Sequence, residues 1–440
     1  MDRNPIIAAH ELRRVVIDLT PVLPGGENGG AKIMTLELIR HLAQAAPGCR
    51  FFLLTSGQNH QELAALDAPN VSRVRIDNPG PMLSPSQNLV IRLRAALRRA
   101  VPASMLKRLA SLYHRSLGQM PRGMSLLHSL EADLLFCPFT ALNFYDPSVP
   151  VVSVVYDLQY RYYPEFFDPA DLQERDRSFR DACLKASYIV SISQYVRKTI
   201  LENAAVVPER IETIPILLPH RLQRPSPATM EEVLRSLGLR ADAFLLYPAN
   251  FWRHKNHERL LEAFRTYLAS HGADIKLVLT GAPSQRRDLM IDACRQDPVL
   301  CRAVVFPGYL PEREFSALLY GCQAMILPSL FEGFGMPLLE AMAARKPLLI
   351  SNTTSLPEVA GDAAVYFDPM RPDDIANAIE RFERDPDLQR SLAEQAGNRL
   401  QAFGGPGEMT ARYLQVFRAA IGAAIGSTKS ATLLHDQQQH

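Results

Sequence analysis

The sequence predicts two consecutive α/β domains, each a doubly wound parallel sheet, and three observations carry that prediction. Short apolar runs alternate with helical patterns in two separate series, the runs end in turn or polar residues, and a proline-rich stretch divides the series. Parallel strands need crossover helices to connect them, so this alternation implies sheets covered by helices. In the first series residues 13–20 (RRVVIDLT), 49–56 (CRFFLLTS), 132–138 (ADLLFCP), 149–157 (VPVVSVVYD) and 187–193 (SYIVSIS) read as buried strands. Behind the first of them, KIMTLELIRHLAQ repeats Ile33, Leu36, Ile39 and Ala43 every three or four residues, which makes one apolar helix face. The alternation restarts after residue 240 with AFLLYPAN, a helix through ERLLEAFRTYLAS, IKLVLTG, AVVFPGY, a helix in EREFSALLYGC, then AMILPS, KPLLISN and AAVYFDP.

The break falls in LLPHRLQRPSPATMEE, which lacks apolar periodicity as a linker does. It sets an N-terminal domain at 1–225 and a C-terminal domain at 226–400. A helix over 401–425 is expected to return toward the N-terminal domain, and the tail 426–440, GSTKSATLLHDQQQH, is expected to be disordered because it has little to bury.

With 440 residues, 47% of them hydrophobic, the chain can build two or three independent cores. A net charge of +2 argues against a nucleic-acid partner. The six cysteines, Cys49, Cys137, Cys183, Cys294, Cys301 and Cys322, form no C-x-x-C pair, so neither a zinc site nor a disulfide scaffold is suggested and a reducing cytosol fits. No run reaches the roughly 18 apolar residues of a membrane span. The opening MDRNPIIAAHELRR carries charge where a signal peptide is apolar, so a cytoplasmic location is expected.

Chemistry is concentrated in residues 329–344, SLFEGFGMPLLEAMAA. Pro337 falls where a helix best accepts proline, at its first position, so a helix begins beside Gly333 and Gly335. The N–H groups of its first turn and the helix dipole favour an anion there. Glu332 before the helix and Glu340 one turn inside it could then reach hydroxyls on either side of a bound diphosphate, an arrangement suited to a nucleotide sugar. The same two acids would also merely complement a helix dipole. In RHKNH, Lys255 and Arg253 supply the cations that a departing nucleoside diphosphate requires. No metal or other cofactor is expected: Asp385-Pro386-Asp387 reads as a helix cap, and His254 and His257 have no carboxylate or cysteine cluster beside them.

The motif PSLFEGFGMPLLEAMA with Glu-x7-Glu, the following KPLLISNTTSLPEVAGDAAVYFDP, and YPANFWRHKNHERLLEAF and VVFPGYLPEREFSALLYGC resemble, in order and spacing, the donor-binding domain of the retaining family 4 glycosyltransferases. The resemblance covers most of residues 244–400 and implies the GT-B fold, two Rossmann-like domains facing a central cleft. It implies that Glu332 touches the donor sugar, that Glu340 holds the ribose, and that Lys255 binds phosphate with Arg253 beside it. Gly333, Phe334, Gly335, Met336, Pro337 and Leu338 would line the donor. Asn250 stands where many members carry an arginine.

In the first half, PVLPGGENGGAKIMTLELI follows a strand and opens a helix at Gly29 and Gly30, so the loop could cradle phosphate or admit an acceptor, or be a plain flexible connection. Ala31-Lys32-Ile33 after Gly25-x4-Gly30 lacks the Lys-[Ser/Thr] of an NTPase. The paired glycines resemble the loop of bacterial mannosyltransferases of surface-polysaccharide assembly. In VVSVVYDLQYRYYPEFF, Tyr156 stands where the family commonly has histidine, and Asp157 is either an acceptor-side base or a helix cap. Residues 78–130 hold Arg92, Arg94, Arg98, Arg99, Lys107, Arg108, Arg115 and Arg122 and no acid, with leucines at helical spacing. Such a stretch suits the anionic inner face of the cell membrane, or packs its apolar side on its own domain.

The expectation is therefore a retaining, metal-independent hexosyltransferase with Glu332, Lys255 and Asp157 in the chemistry. The donor implied by the resemblance is GDP-mannose, with UDP-glucose and a GDP-deoxyhexose open, and the acceptor a lipid-linked oligosaccharide. A sugar-nucleotide epimerase or hydrolase and a non-catalytic sugar-nucleotide sensor are the alternatives. The sequence gives no oligomeric state.

Overall fold

The computed structural model describes residues 12–25, 28–76, 122–217, 222–272 and 274–437, with side chains except at 122–125 and 425–437. Seven strands form the first sheet: β1 (Arg14–Asp18), β2 (Arg50–Ser56), β3 (Val71–Ile76), β4 (Leu134–Cys137), β5 (Val151–Val155), β6 (Tyr188–Ser191) and β7 (Ile211–Thr213). Their order is β3-β2-β1-β4-β5-β6-β7, all parallel. Six form the second: β8 (Phe244–Pro248), β9 (Lys276–Thr280), β10 (Val304–Gly308), β11 (Ala324–Leu327), β12 (Leu348–Ser351) and β13 (Ala364–Phe367), in the order β10-β9-β8-β11-β12-β13 and again parallel.

Central strands such as β4, β5, β11 and β12 are buried at every position, because helices cover both faces and leave no side for water. β3 and β7 were not read from the sequence. β3 (VSRVRI) places Ser72, Arg73 and Arg75 among its apolar residues because it is an edge strand, and β7 is only three residues long at the opposite edge. In each sheet the strand order reverses between neighbours, β1 with β4 and β8 with β11. At such a reversal the loops leaving the strand ends diverge and open a crevice.

The helix Gly29–Ala45 corrects the apolar face proposed for it. Met34, Leu38, Ile39 and Leu42 are buried, whereas Ile33 and Leu36 line the cleft described below. The shift arises because the helix is wedged between its own sheet, the C-terminal helix and the cleft, so apolar residues serve more than one surface. The last helix, Pro406–Gln437, packs on that helix and on β4 and β5, returning the chain to the N-terminal domain. Phe136 meets Tyr413 at 5.8 Å and Phe417 at 5.1 Å between ring centroids, and Arg412 donates to Glu212 at 2.7 Å. The backbone remains helical to Gln437, in place of the disorder expected from residue 426. Once a helix is nucleated, each added residue fixes one hydrogen bond, and this tail has no proline to stop it. Of the basic stretch, residues 78–121 lie outside the described residues, and 122–129 are described as a helix. Among the described residues no helix is long and apolar enough to cross a membrane.

Candidate active site

The crevices of the two sheets face each other across an elongated cleft of about 1290 Å³. Into it come Gly29, Gly30 and Asp157 from the N-terminal domain, and Asn250, Arg253, Lys255, Glu332, Gly333, Phe334, Met336, Pro337 and Glu340 from the C-terminal one. Gly335 and Leu338, also expected to line the donor, do not. Gly335 adopts a left-handed φ of +92° and packs against Leu356, while Leu338 is fully buried and its N–H is bonded to Gly335 O at 2.9 Å.

The loops after β8 and β11 are stitched together. Asn256, held left-handed at φ 59°, donates to Pro328 O at 3.0 Å, and Leu330 N–H donates to His254 O at 2.7 Å. Tyr247 Oη donates to Lys255 O at 2.8 Å. These bonds bring Lys255 Nζ to 2.6 Å from Glu332 Oε1, with only 13% and 12% of the two side chains exposed. The two groups proposed for phosphate and sugar therefore neutralise each other in this arrangement. Glu340, four residues into the helix Met336–Ala343, is buried and lines the same cleft. Asn250 lines the cleft while its Oδ1 accepts from Ala282 N at 2.9 Å and holds the loop after β9. Arg253 reaches out of the cleft wall to Glu165 O at 3.2 Å in the N-terminal domain.

His257 lies wholly buried between Phe251 and Tyr247, with ring centroids 4.5 and 4.8 Å away, and neither of its ring nitrogens has a hydrogen-bond partner. Burial pushes its pKa down to about 3, with Lys255 and Arg286 adding to the effect, and burial pushes that of His254 down to about 2. Both imidazoles are neutral at working pH, so Lys255 and Arg253 bring the positive charge of this loop. Asp385 caps the helix Pro386–Leu400 by accepting from Leu388 N at 2.9 Å.

Across the cleft Asp157 accepts from Gln159 N at 3.0 Å, and burial raises its pKa above the ordinary carboxylate value. Tyr156, beside it, bonds Thr35 Oγ1 at 3.1 Å through its phenol, which burial keeps protonated. Lys32 donates to Leu23 O and Gly25 O, both at 2.8 Å, and to Glu62 at 2.6 Å. It is thus the clamp of the glycine loop and not a phosphate ligand.

Residues 230–399 match the family model described as Glycosyl transferases group 1. Over 257 residues, 58% of the chain, the sequence is 28% identical to O-antigen chain mannosyltransferase B of Escherichia coli, of which the match spans 67%. Over 214 residues it is 29% identical to the serotype-specific mannosyltransferase WbdA of Escherichia coli, and there it spans only 26% of the relative. The fold is similar to that of Anabaena Alr3699/HepE in complex with UDP and glucose, with a TM-score of 0.67 at 16% identity over 92% of this chain and 100% of that one. It is also similar to WaaG, described as a glycosyltransferase involved in lipopolysaccharide biosynthesis, with a TM-score of 0.62 at 16% identity over 90% and 98% of the chains. The chain is a GT-B glycosyltransferase.

Several cleft residues of this glycosyltransferase escaped sequence reasoning. Thr280, Gly281, Arg286, Tyr309, Leu310 and Glu312 line the cleft from the end of β9 and from the loops and helix starts that follow β9 and β10. The signal available was the open geometry of strand ends in a second doubly wound domain, which marks each post-strand loop but not its side chains. Phe139, Thr140, Asp157 and Arg175 also border a second cavity of about 770 Å³ in the N-terminal domain. Asp18, buried at the end of β1, supports that cavity by accepting from Thr20 Oγ1 at 2.6 Å and Asn143 at 3.0 Å, and burial raises its pKa.

Two predictions follow directly from this geometry. Any Cβ at Gly333 would drive into the carbonyl oxygen of Tyr156 in the other domain. Gly333→Ala should therefore prevent the domains from approaching this closely and lower transfer by about tenfold or more. A variant with parental kcat/KM would refute it. His257 supplies the second. Its native pKa lies below the ordinary 6.5, so the unfolded chain binds the extra proton and stability falls as pH drops from about 6.5 toward 3, by about 1.4 kcal/mol per pH unit. His257→Phe removes that term. Compared with the parent, it should gain about 2 kcal/mol between about pH 6.5 and about pH 5, read by denaturant melts at both values.

Proposed function

We propose that this glycosyltransferase transfers mannose from GDP-mannose, with retention of anomeric configuration, to a hydroxyl of a lipid-linked oligosaccharide during O-antigen or related surface-polysaccharide synthesis. The observation that carries the reading is the Lys255–Glu332 pair on the donor wall of a chain similar to O-antigen chain mannosyltransferase B. In the proposed complex the diphosphate takes Lys255 from Glu332, which frees the carboxylate to meet the sugar hydroxyls. Lys255, Arg253 and the start of the helix Met336–Ala343 meet the charge of the departing GDP, so no metal is invoked.

Glu312, which lines the cleft from the start of the helix Glu312–Gly321, supports guanine as the base. Guanine presents two adjacent donors, N1–H and N2–H, which one carboxylate can accept together. Uracil presents a single N–H flanked by two carbonyl oxygens, which a carboxylate repels. The second cavity, bordered by Asp157, is the proposed path of the acceptor. In a same-face displacement the bond from C1 to the phosphate oxygen breaks as the acceptor oxygen bonds C1. The acceptor proton passes to the leaving phosphate, with Asp157 orienting the hydroxyl. An acceptor carried by a lipid would place the enzyme at the inner face of the membrane, where the basic stretch would contact anionic lipid.

The test is a panel of GDP-mannose, UDP-glucose and a GDP-deoxyhexose, scored by thermal shift and nucleotide release in the presence of EDTA. GDP-mannose should stabilise most, turnover should survive the chelator, and the product linkage should be α by NMR. Preference for UDP-glucose, loss of turnover in EDTA, or a β product would each overturn the corresponding part.

A further inference from the structure

The segment Leu330–Gly333, which carries Glu332, is held by the opposite domain on both sides of that glutamate. Phe331 stands among three aromatic rings of the N-terminal domain: Tyr162 at 5.5 Å, Tyr195 at 5.7 Å and Tyr163 at 6.3 Å between centroids. Leu330 O accepts from Tyr163 Oη at 3.5 Å. On the other side Gly333 O accepts from Ser193 Oγ at 2.7 Å, and the Gly333 backbone lies against Tyr156 O. Farther along, Glu358 of the C-terminal domain accepts from Gln194 N at 2.7 Å and Tyr195 N at 2.8 Å, at the start of the helix Gln194–Asn203 that bears Tyr195. Glu332 is therefore suspended between two inter-domain anchors. Phe331 is 3% exposed here, and parting the domains would leave it in water.

We infer that Phe331 is a closure latch: its seating between Tyr162, Tyr163 and Tyr195 joins the domains and fixes Glu332 in its working position, so that turnover waits on closure of the N-terminal domain. Phe331 is a positioning residue that acts through Glu332. Diphosphate binding, which Lys255 and Arg253 provide from within one domain, does not need the latch. The inference rests on the proposed place of Glu332 at the donor sugar, and the experiment separates the two.

The sole tryptophan of the chain, Trp252, is the reporter of closure. It is 46% exposed on the C-terminal wall, and a Cβ on Gly29 of the facing wall would stand 3.8 Å from its ring. In full-length Phe331→Ala, acrylamide quenching of Trp252 should rise in the presence of GDP. The kcat for GDP release from GDP-mannose should fall by about ten- to a hundredfold, while the Kd for GDP measured by calorimetry stays within about twofold. Tyr195→Ala should reproduce both effects and Tyr195→Phe, which keeps the ring, should restore them. The double variant Phe331→Ala/Tyr195→Ala should be no slower than the slower single one, because both remove one contact. Unchanged quenching in Phe331→Ala overturns the latch. Changed quenching with parental kcat overturns its positioning role, as do multiplicative losses in the double variant. Glu332→Gln, assayed alongside, tests the donor reading separately, since it leaves the aromatic socket intact and should leave quenching at the parental level.

Discussion

Lys255→Ala should lower kcat/KM by about a thousandfold or more and weaken GDP binding measurably in the calorimeter. The substitution acts twice. It removes the ammonium proposed to meet the diphosphate, and it strips Glu332 of the partner now 2.6 Å away. With 12% of its side chain exposed, that glutamate keeps little water to replace the lost cation, and its charge then opposes the incoming phosphates. Arg253 does not substitute, because the proposed complex already uses both cations and the loss of one leaves the diphosphate short of positive charge. Lys255→Arg should recover little, since a planar fork does not fit a place shaped for a point charge between two stitched loops. Removing both partners in Lys255→Ala/Glu332→Gln should restore thermal stability relative to Lys255→Ala alone while leaving transfer abolished. Unaltered GDP affinity in Lys255→Ala would remove the lysine from the donor site.

Glu332→Gln should split binding from turnover in opposite directions. Turnover should fall by about a hundredfold or more, because the amide offers the sugar no negative charge as positive character builds at C1. GDP should bind about three- to tenfold more tightly, because Lys255 is no longer neutralised before the ligand arrives and one charge of the diphosphate's own sign has gone. Single-turnover kinetics and calorimetry read the two quantities independently. Parental kinetics would exclude Glu332 from the reacting centre, and weaker GDP binding would exclude the exchange of partners proposed for Lys255.

The candidate site was legible where its parts lie within one strand–loop–helix unit. Residues 328–340 announce a strand end, two glycines, a proline at a helix start and two acids, one before the helix and one a turn inside it, and short-range stereochemistry suffices to place them. Asn250 shows the limit of that method. It lines the cleft, but the sequence does not show that its side-chain oxygen also accepts from Ala282 N, 32 residues away. Gly335 and Leu338 belong to the same motif as Glu332, but one shapes the backbone and the other fills the core. Lys32 failed as a nucleotide ligand on its neighbours alone, and its role as a loop clamp needed Glu62 brought beside it.

By itself the sequence determined the two parallel sheets, the loops that would surround a ligand and the charge types those loops present. Hydrophobic period, turn residues and caps act over a few neighbouring positions, and a chain read in one dimension displays them fully. Only the tertiary structure decided that Lys255 and Glu332, 77 residues apart, share one contact, that Phe331 enters an aromatic socket of the other domain, and that Gly333 can carry no side chain. Those choices arise where two separately folded surfaces meet. Which atoms face each other there depends on strand order, loop stitching and the angle between domains, none of which leaves a periodic mark in the sequence.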